Sequence, residues 1–439
     1  MESEPAGGSF GTFLIVWIGQ LVSVLGSTLT GFAMGIWVFI ETGSVTTFAL
    51  IIVTANVPGL VASPLAGSVV DRVDRRLVML VADIAAGVST GVAATLFLTG
   101  ALEIWHLYPV AAVGAIANAF QEPAYGASVP LLVPKRHLGR ANGLVQAGPS
   151  LGAVVAPIMA AALVATAGLG VVLIIDLVTF VVAVATLTVV RIPRPEAIRE
   201  DEAGASLWRS FSFGWNYLRA RPGLLGLLGV YAVGNFMLSA VGLLYLPLIL
   251  AFSTETAYGA VMSVGGAGML LGSVVMSAWG GPRRRIAGIM GMMGVAGVGV
   301  ALAGIWESVW LIAVFGSIDM FLAPIINGTS QTLWQTKVAP AVQGRVFAVR
   351  RMVAFVIYPV SLLLTGPLAD RVFEPALMPD GVLAGSVGLI LGTGRGRGVG
   401  LMIVMAGVGT TLAALWGWRR RSVRSLETEV PDALEVPST

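Results

Sequence analysis

The chain has 439 residues, 56% of them hydrophobic and 11% charged, with a mean hydropathy of +0.88; a soluble domain of this length could not cover so much apolar surface, which places the protein in a lipid bilayer. With no cysteine it has no disulfides and no thiolate metal site, and two isolated histidines, His106 and His137, cannot assemble a metal centre by themselves, so none is expected. A formal net charge of +3 gives no sign of a nucleic-acid partner, and the absence of any Gly-Lys dipeptide excludes a G-x4-G-K-[ST] phosphate-binding loop and argues against direct use of ATP, so no cofactor is expected.

About 20 apolar residues cross a bilayer, and residues 5–40, 42–70, 222–254 and 256–282 run longer than that without a charge. The first run is too long for a signal-peptide core and reads as a permanent span. Apolar runs between charges and Gly/Pro breaks predict spans near 11–40, 46–70, 77–99, 105–130, 141–166, 169–190, 223–252, 256–280, 286–305, 308–333, 346–369 and 398–418. The fifth and sixth come from one stretch, divided at Gly168 and Gly170. This predicts an all-α membrane protein with twelve transmembrane helices. Trp105, Trp306 and Trp310 fit an outer aromatic belt.

Of 26 basic residues, 23 fall after even-numbered spans or in the carboxyl tail; the exceptions, Arg371, Arg395 and Arg397, share one Gly-rich segment before the last span, read as a flexible outer turn. By the positive-inside rule both termini are cytoplasmic, in a multi-pass protein of the cell (inner) membrane. The chain also repeats itself: GSVV at 67–70 recurs at 272–275, and FQEPAYGASVPLLVPKRHLGR (120–140) echoes FLAPIINGTSQTLWQTKVAPAVQGR (321–345). Two parallel six-helix bundles, 1–190 and 222–421, are therefore expected around a cytoplasmic linker, 191–221, with 422–439 as a short disordered cytoplasmic tail.

The run GSVVDRVDRR (67–76) places five charges in six positions between two apolar spans. Its pattern resembles the signature loop of the major facilitator superfamily, here Gly67, Asp71, Arg72, Arg75 and Arg76, with Asp74 standing where the general pattern has glycine. Together with WIGQLVSVLGSTLT (17–30), IWVFIETGS (36–44), LIIDLVTF (173–180) and GPLADRVFEP (366–375), it is similar to the macrolide-efflux and enterobactin-exporter branch. The resemblance implies that the loop latches the two bundles at the cytoplasmic face. Electrostatically, Asp71 can pair with Arg72, Arg75 or a helix amino terminus; an arginine cluster that only fixes topology remains the plainer alternative. The second-half loop, GGPRRR (280–285), lacks the aspartate. In the fifth span Gly143, Gly152, Ala156 and Pro157 keep the spacing of an antiporter motif, with Gly-to-Ala changes; small residues would let helices approach and proline would bend the helix.

Asp83, Glu122, Asp176 and Asp319 lie within spans, where an ionised carboxylate costs about 2.5–3.5 kcal/mol unless partnered, protonated or hydrated. In the resembling fold, spans one, four, seven and ten line the central cavity. That implies proton exchange at Glu122 and Asp319, and structural roles for Asp83 and Asp176, bonded to backbone or to nearby Ser and Thr. Asp83 is seven residues, about 11 Å, from Arg76 and so shallow enough to reach water. Polar groups on the cavity spans, Gln20, Ser27, Asn118, Gln121, Tyr125, Asn235, Tyr245 and Asn327, are candidates for binding a large amphiphilic substrate; ordinary interhelical hydrogen bonding is the alternative for each. The expectation is a monomeric secondary exporter, not an enzyme, whose partners are a small molecule, protons and the bilayer. An uptake facilitator and a non-transporting membrane sensor stay open.

Overall fold

The computed structural model describes residues 10–134, 137–190 and 207–430. Among these residues all regular structure is helical: α1 (Phe10–Thr42), α2 (Val45–Thr54), α3 (Val57–Arg72), α4 (Arg75–Leu98), α5 (Ile104–Leu132), α6 (Leu138–Val189), α7 (Leu207–Arg219), α8 (Pro222–Leu250), α9 (Glu255–Trp279), α10 (Arg285–Ala303), α11 (Val309–Lys337), α12 (Pro340–Leu368), a π-helical turn Ala369–Phe373, α13 (Glu374–Ala376), α14 (Gly388–Leu391), α15 (Arg397–Arg419), α16 (Arg421–Arg424) and α17 (Leu426–Glu429). Ten helices are long and apolar enough to cross a membrane. α6, at 52 residues, has the length of two spans, and Gly168 breaks it with φ 77°, a conformation that side chains resist. α5 is 29 residues long but carries three internal prolines and the polar Asn118, Gln121 and Glu122. A twelve-span count is compatible with these lengths.

The chain divides into two compact units, Met1–Arg199 with Tyr258–Ser263, and Glu200–Ala257 with Val264–Thr439. Each packs in the same order. In the first, α1 packs along α6, α3 against α5, and α4 against α5 and α6; in the second, α8 packs along α12 and α15, and α10 against α11 and α15. Small residues permit the closest crossings. A methyl group at Gly59 of α3 would lie 2.6 Å from the Ala115 carbonyl of α5, and one at Gly272 of α9 would overlap the Phe321 carbonyl of α11.

Four features differ from the sequence reading. The second span is two helices, interrupted at Ala55 and Asn56, because Pro58 sits in the first turn of α3 and can only begin a helix. Residues 207–219 of the linker form an amphipathic helix with Leu218 fully buried, and a methyl at its Gly214 would lie 2.6 Å from the Arg345 carbonyl of α12; linker residues 191–206 lie outside the described residues. Residues 421–430, assigned mostly to a disordered tail, contain α16 and α17, whose Val423 and Leu426 are fully buried in the hydrophobic cluster that holds Leu224, Leu333 and Trp334; residues 431–439 lie outside the described residues. The Gly-rich segment before α15 is tied down rather than loose. The Glu374 carboxylate accepts from the amides of Gly396 and Val399, and Arg397 pairs with Glu307 at 2.7 Å.

Candidate functional site: charged and polar groups inside the bundles

Asp83, on α4, is fully buried instead of reaching water. Gln20 of α1 donates its amide to Oδ2 at 3.1 Å, and Gln121 of α5 donates to Oδ1 at 2.7 Å. The same Gln121 amide donates to the Gln20 side-chain oxygen at 2.6 Å, so three helices close a ring of neutral donors around one carboxylate. Glutamines, not backbone, Ser or Thr, surround it.

Asp176, on α6, is 2% exposed. Ser27 of α1, Thr90 of α4 and Thr179 one turn along α6 each direct a hydroxyl to it at 3.4 Å. α1 reaches this group because residue 26 is glycine: a methyl there would lie 2.8 Å from Asp176 Oδ1 and overlap the Thr179 hydroxyl. Gln20, Gln121 and Ser27, expected in a substrate cavity, are therefore engaged by carboxylates of their own bundle. Tyr125 keeps a buried hydroxyl without a hydrogen-bond partner among the described residues, while Asn118 and Glu122, one helical turn apart on α5, are both exposed.

In the second unit Asp319 is half-buried on α11, and none of the described residues bonds its carboxylate. One turn away, a methyl at Gly316 would lie 2.8 Å from the Tyr245 hydroxyl of α8, which is buried and also lacks a hydrogen-bond partner among the described residues. The glycine thus leaves room for a phenol one turn from the carboxylate. Asn235 and Asn327 are exposed.

At the charged loop, Gly67, Asp71 and Arg72 fall in α3, but their side chains lie outside the described set. Arg75 donates to the Ala127 carbonyl of α5 at 2.7 Å. Arg76 donates to the Leu187 and Thr188 carbonyls at the end of α6, both at 2.6 Å, where cations complement the helix dipole. Asp74, the departure from the family pattern, caps α4 by accepting from the Arg76 amide at 2.9 Å. In the fifth span Gly143 falls in α6, and its surroundings likewise lie outside the described set. A methyl at Gly152 would lie 3.3 Å from the Thr28 hydroxyl of α1, and Ala156 is 2% exposed, so the small residues of this span form its seam with α1; Pro157 lies within α6.

The model of the Major Facilitator Superfamily matches residues 16–361. The chain belongs to this superfamily. It is 28% identical over 374 residues to macrolide efflux protein A of Streptococcus pyogenes, covering 82% of this chain and 90% of the relative. It is 26% identical over 373 residues to the multidrug efflux pump Tap of Mycolicibacterium fortuitum, covering 82% and 90%. Among solved structures, a bacterial homologue of the lysosomal transporter Spinster superposes with a TM-score of 0.67 at 16% identity, covering 92% of this chain and 95% of that one. The nucleoside transporter NupG gives 0.65 at 13% identity, covering 93% and 100%. This major facilitator protein is thus a multi-pass membrane transporter of a small molecule, not an enzyme.

Some groups were not singled out from the sequence. Thr90 and Thr179 complete the surroundings of Asp176 but are ordinary residues of apolar spans. Arg350 and Lys337 were counted among the charges that set topology, yet Lys337 is 6% exposed and donates to the Glu427 carbonyl at 2.7 Å. Arg350 reaches into the second bundle. For Arg350 the available signal was position, because it falls inside α12, whereas Lys337 is the last residue of α11 and looked like any helix-end cation.

Proposed function

We propose that this major facilitator protein is a secondary active exporter that moves hydrophobic or amphiphilic molecules, macrolide-like drugs or siderophores, out across the cell membrane in exchange for protons. Its likeness to two differently named efflux proteins over nine-tenths of their length carries this reading. Both termini and the loop from Gly67 to Arg76 are on the cytoplasmic side in this reading, the monomer alternates access between its two bundles, and the loop latches them. Asp83 and Asp176, each engaged by several neutral donors, are structural. Asp319, with Tyr245 beside it, and the exposed Glu122 are the groups left to exchange protons with water or substrate. Holding a 100-fold outward gradient of a neutral solute takes about 2.7 kcal/mol, and one charge crossing about 150 mV releases about 3.5 kcal/mol, so one proton is enough.

The test is efflux of a panel of macrolides and lipophilic dyes from cells expressing the protein, with and without an uncoupler. Expression should lower accumulation of at least one compound, and the uncoupler should restore it. Accumulation that rises on expression, or efflux that persists unchanged without a proton gradient, contradicts the reading.

A further inference from the structure

Arg350 lies ten residues into α12, about 15 Å along the helix from Pro340. Its guanidinium crosses to α11, where Nη1 donates to the Gln331 side-chain oxygen at 2.9 Å and Nη2 to the Ser330 hydroxyl at 3.5 Å. The cation sits 5.5 Å from the ring centre of Trp334, which is 1% exposed. On the α8 side, the neutral Tyr231 donates its hydroxyl to the Ile326 carbonyl at 3.2 Å. The cation's protein partners are thus neutral, and among the described residues no carboxylate pairs with it. The acidic group of α11, Asp319, is twelve residues from Gln331, about 18 Å along the helix.

An arginine held this way is unusual. A charge inside the hydrophobic thickness is costly unless countered, and guanidinium has five donors in a fork matched to carboxylate and phosphate oxygens. Two of those donors go to Gln331 and Ser330, which hold the fork in place without neutralising it. The remaining donors suit an anion.

We propose that Arg350, oriented by Gln331 and Ser330, is an anion-recognition point in the second bundle that takes the carboxylate or phosphate of an amphiphilic molecule. The anion belongs either to a transported solute, an assignment that rests on the export reading, or to a lipid headgroup. The proposal widens the substrate class beyond cationic and neutral drugs to amphiphilic acids.

The experiment measures equilibrium binding of radiolabelled fusidate, a steroidal carboxylate, to the purified full chain in phosphatidylcholine nanodiscs, with tetraphenylphosphonium as the cationic control. Fusidate should bind saturably, and Arg350→Gln should weaken it at least tenfold while tetraphenylphosphonium stays within twofold. Gln331→Glu places a carboxylate against the guanidinium and should cost a similar factor with an unchanged melting temperature, which keeps the test valid even if Arg350→Gln folds poorly. Replacing a third of the lipid by phosphatidylglycerol distinguishes the sources: competition supports a headgroup, and undiminished fusidate binding supports a solute. Absence of saturable fusidate binding, or binding that both variants leave unchanged, overturns the proposal. Failure of the export reading would appear separately, as a lack of uncoupler-sensitive efflux in cells.

Discussion

The third span of each unit begins after an arginine-rich loop, and the two are finished differently. In the first unit the capping carboxylate is local: Asp74 accepts from the amide of Arg76 two residues on. The corresponding loop of the second unit, GGPRRR, has no acid, and there Glu427, more than 140 residues away, accepts from the amides of Arg285 at 2.8 Å and Ile286 at 3.3 Å. The cations follow the same rule. Arg75 and Arg76 bond the carbonyls of α5 and α6, while Lys337 bonds carbonyls of the tail. One physical requirement, covering the unpaired amides at a helix start, is met in one unit by the loop and in the other by a folded tail. The interiors differ too. The first unit surrounds Asp83 and Asp176 with neutral donors, whereas the second leaves Asp319 unbonded among the described residues and holds Arg350 among neutral acceptors.

Perturbing each feature in turn sharpens this contrast. The largest loss of stability is expected for Asp176→Ala, which strips the Ser27 and Thr90 hydroxyls of their acceptor, while Thr179 keeps its 2.7 Å bond to the residue-176 carbonyl. The substitution should cost about 1–2 kcal/mol in a reversible unfolding measurement in micelles; Asp176→Asn, which keeps an acceptor oxygen, should cost less than half of that. Glu427→Ala should follow at about 1 kcal/mol, since it removes both amide bonds at the start of α10, and faster proteolysis of the carboxyl tail should accompany it. Asp74→Ala should cost about 0.5–1 kcal/mol by thermal denaturation, but Asp74→Gly, the residue of the general family pattern, only a few tenths. Tyr245→Phe should shift stability by less than about 0.5 kcal/mol, because its hydroxyl has no hydrogen-bond partner to lose among the described residues. If Asp74→Gly proved as damaging as Asp176→Ala, or Glu427→Ala had no effect, the comparison between the loops would fail.

Much of the fold was legible because a bilayer imposes a simple rule on composition. The predicted 77–99 and 398–418 became Arg75–Leu98 and Arg397–Arg419, and Gly168 marked the break inside α6. Hydropathy reports the membrane, however, and not the helix, so α12 begins at Pro340, six residues before its apolar run. The amphipathic α7 and the two tail helices escaped notice because their burial depends on contacts distant in sequence, such as Leu426 against Gly223 of α8. The same holds for the candidate site. The four membrane carboxylates stood out as charges in apolar runs, but their partners did not. Gln20 and Gln121 are 63 and 38 residues from Asp83, and nothing in the sequence pairs them. Arg350 resembled any topology-setting arginine until its helix placed it beside Gln331.

Proton movement measured in proteoliposomes bears most directly on the central claim, that export is driven by protons exchanging at Asp319, a carboxylate with no bonding partner among the described residues. With a pH-sensitive dye trapped inside and erythromycin added outside, wild-type vesicles should show proton flux opposite to the drug. Asp319→Asn should abolish that flux while melting within a degree or two of wild type. Equal proton flux in wild type and Asp319→Asn, or drug movement with no proton signal at all, would contradict the account.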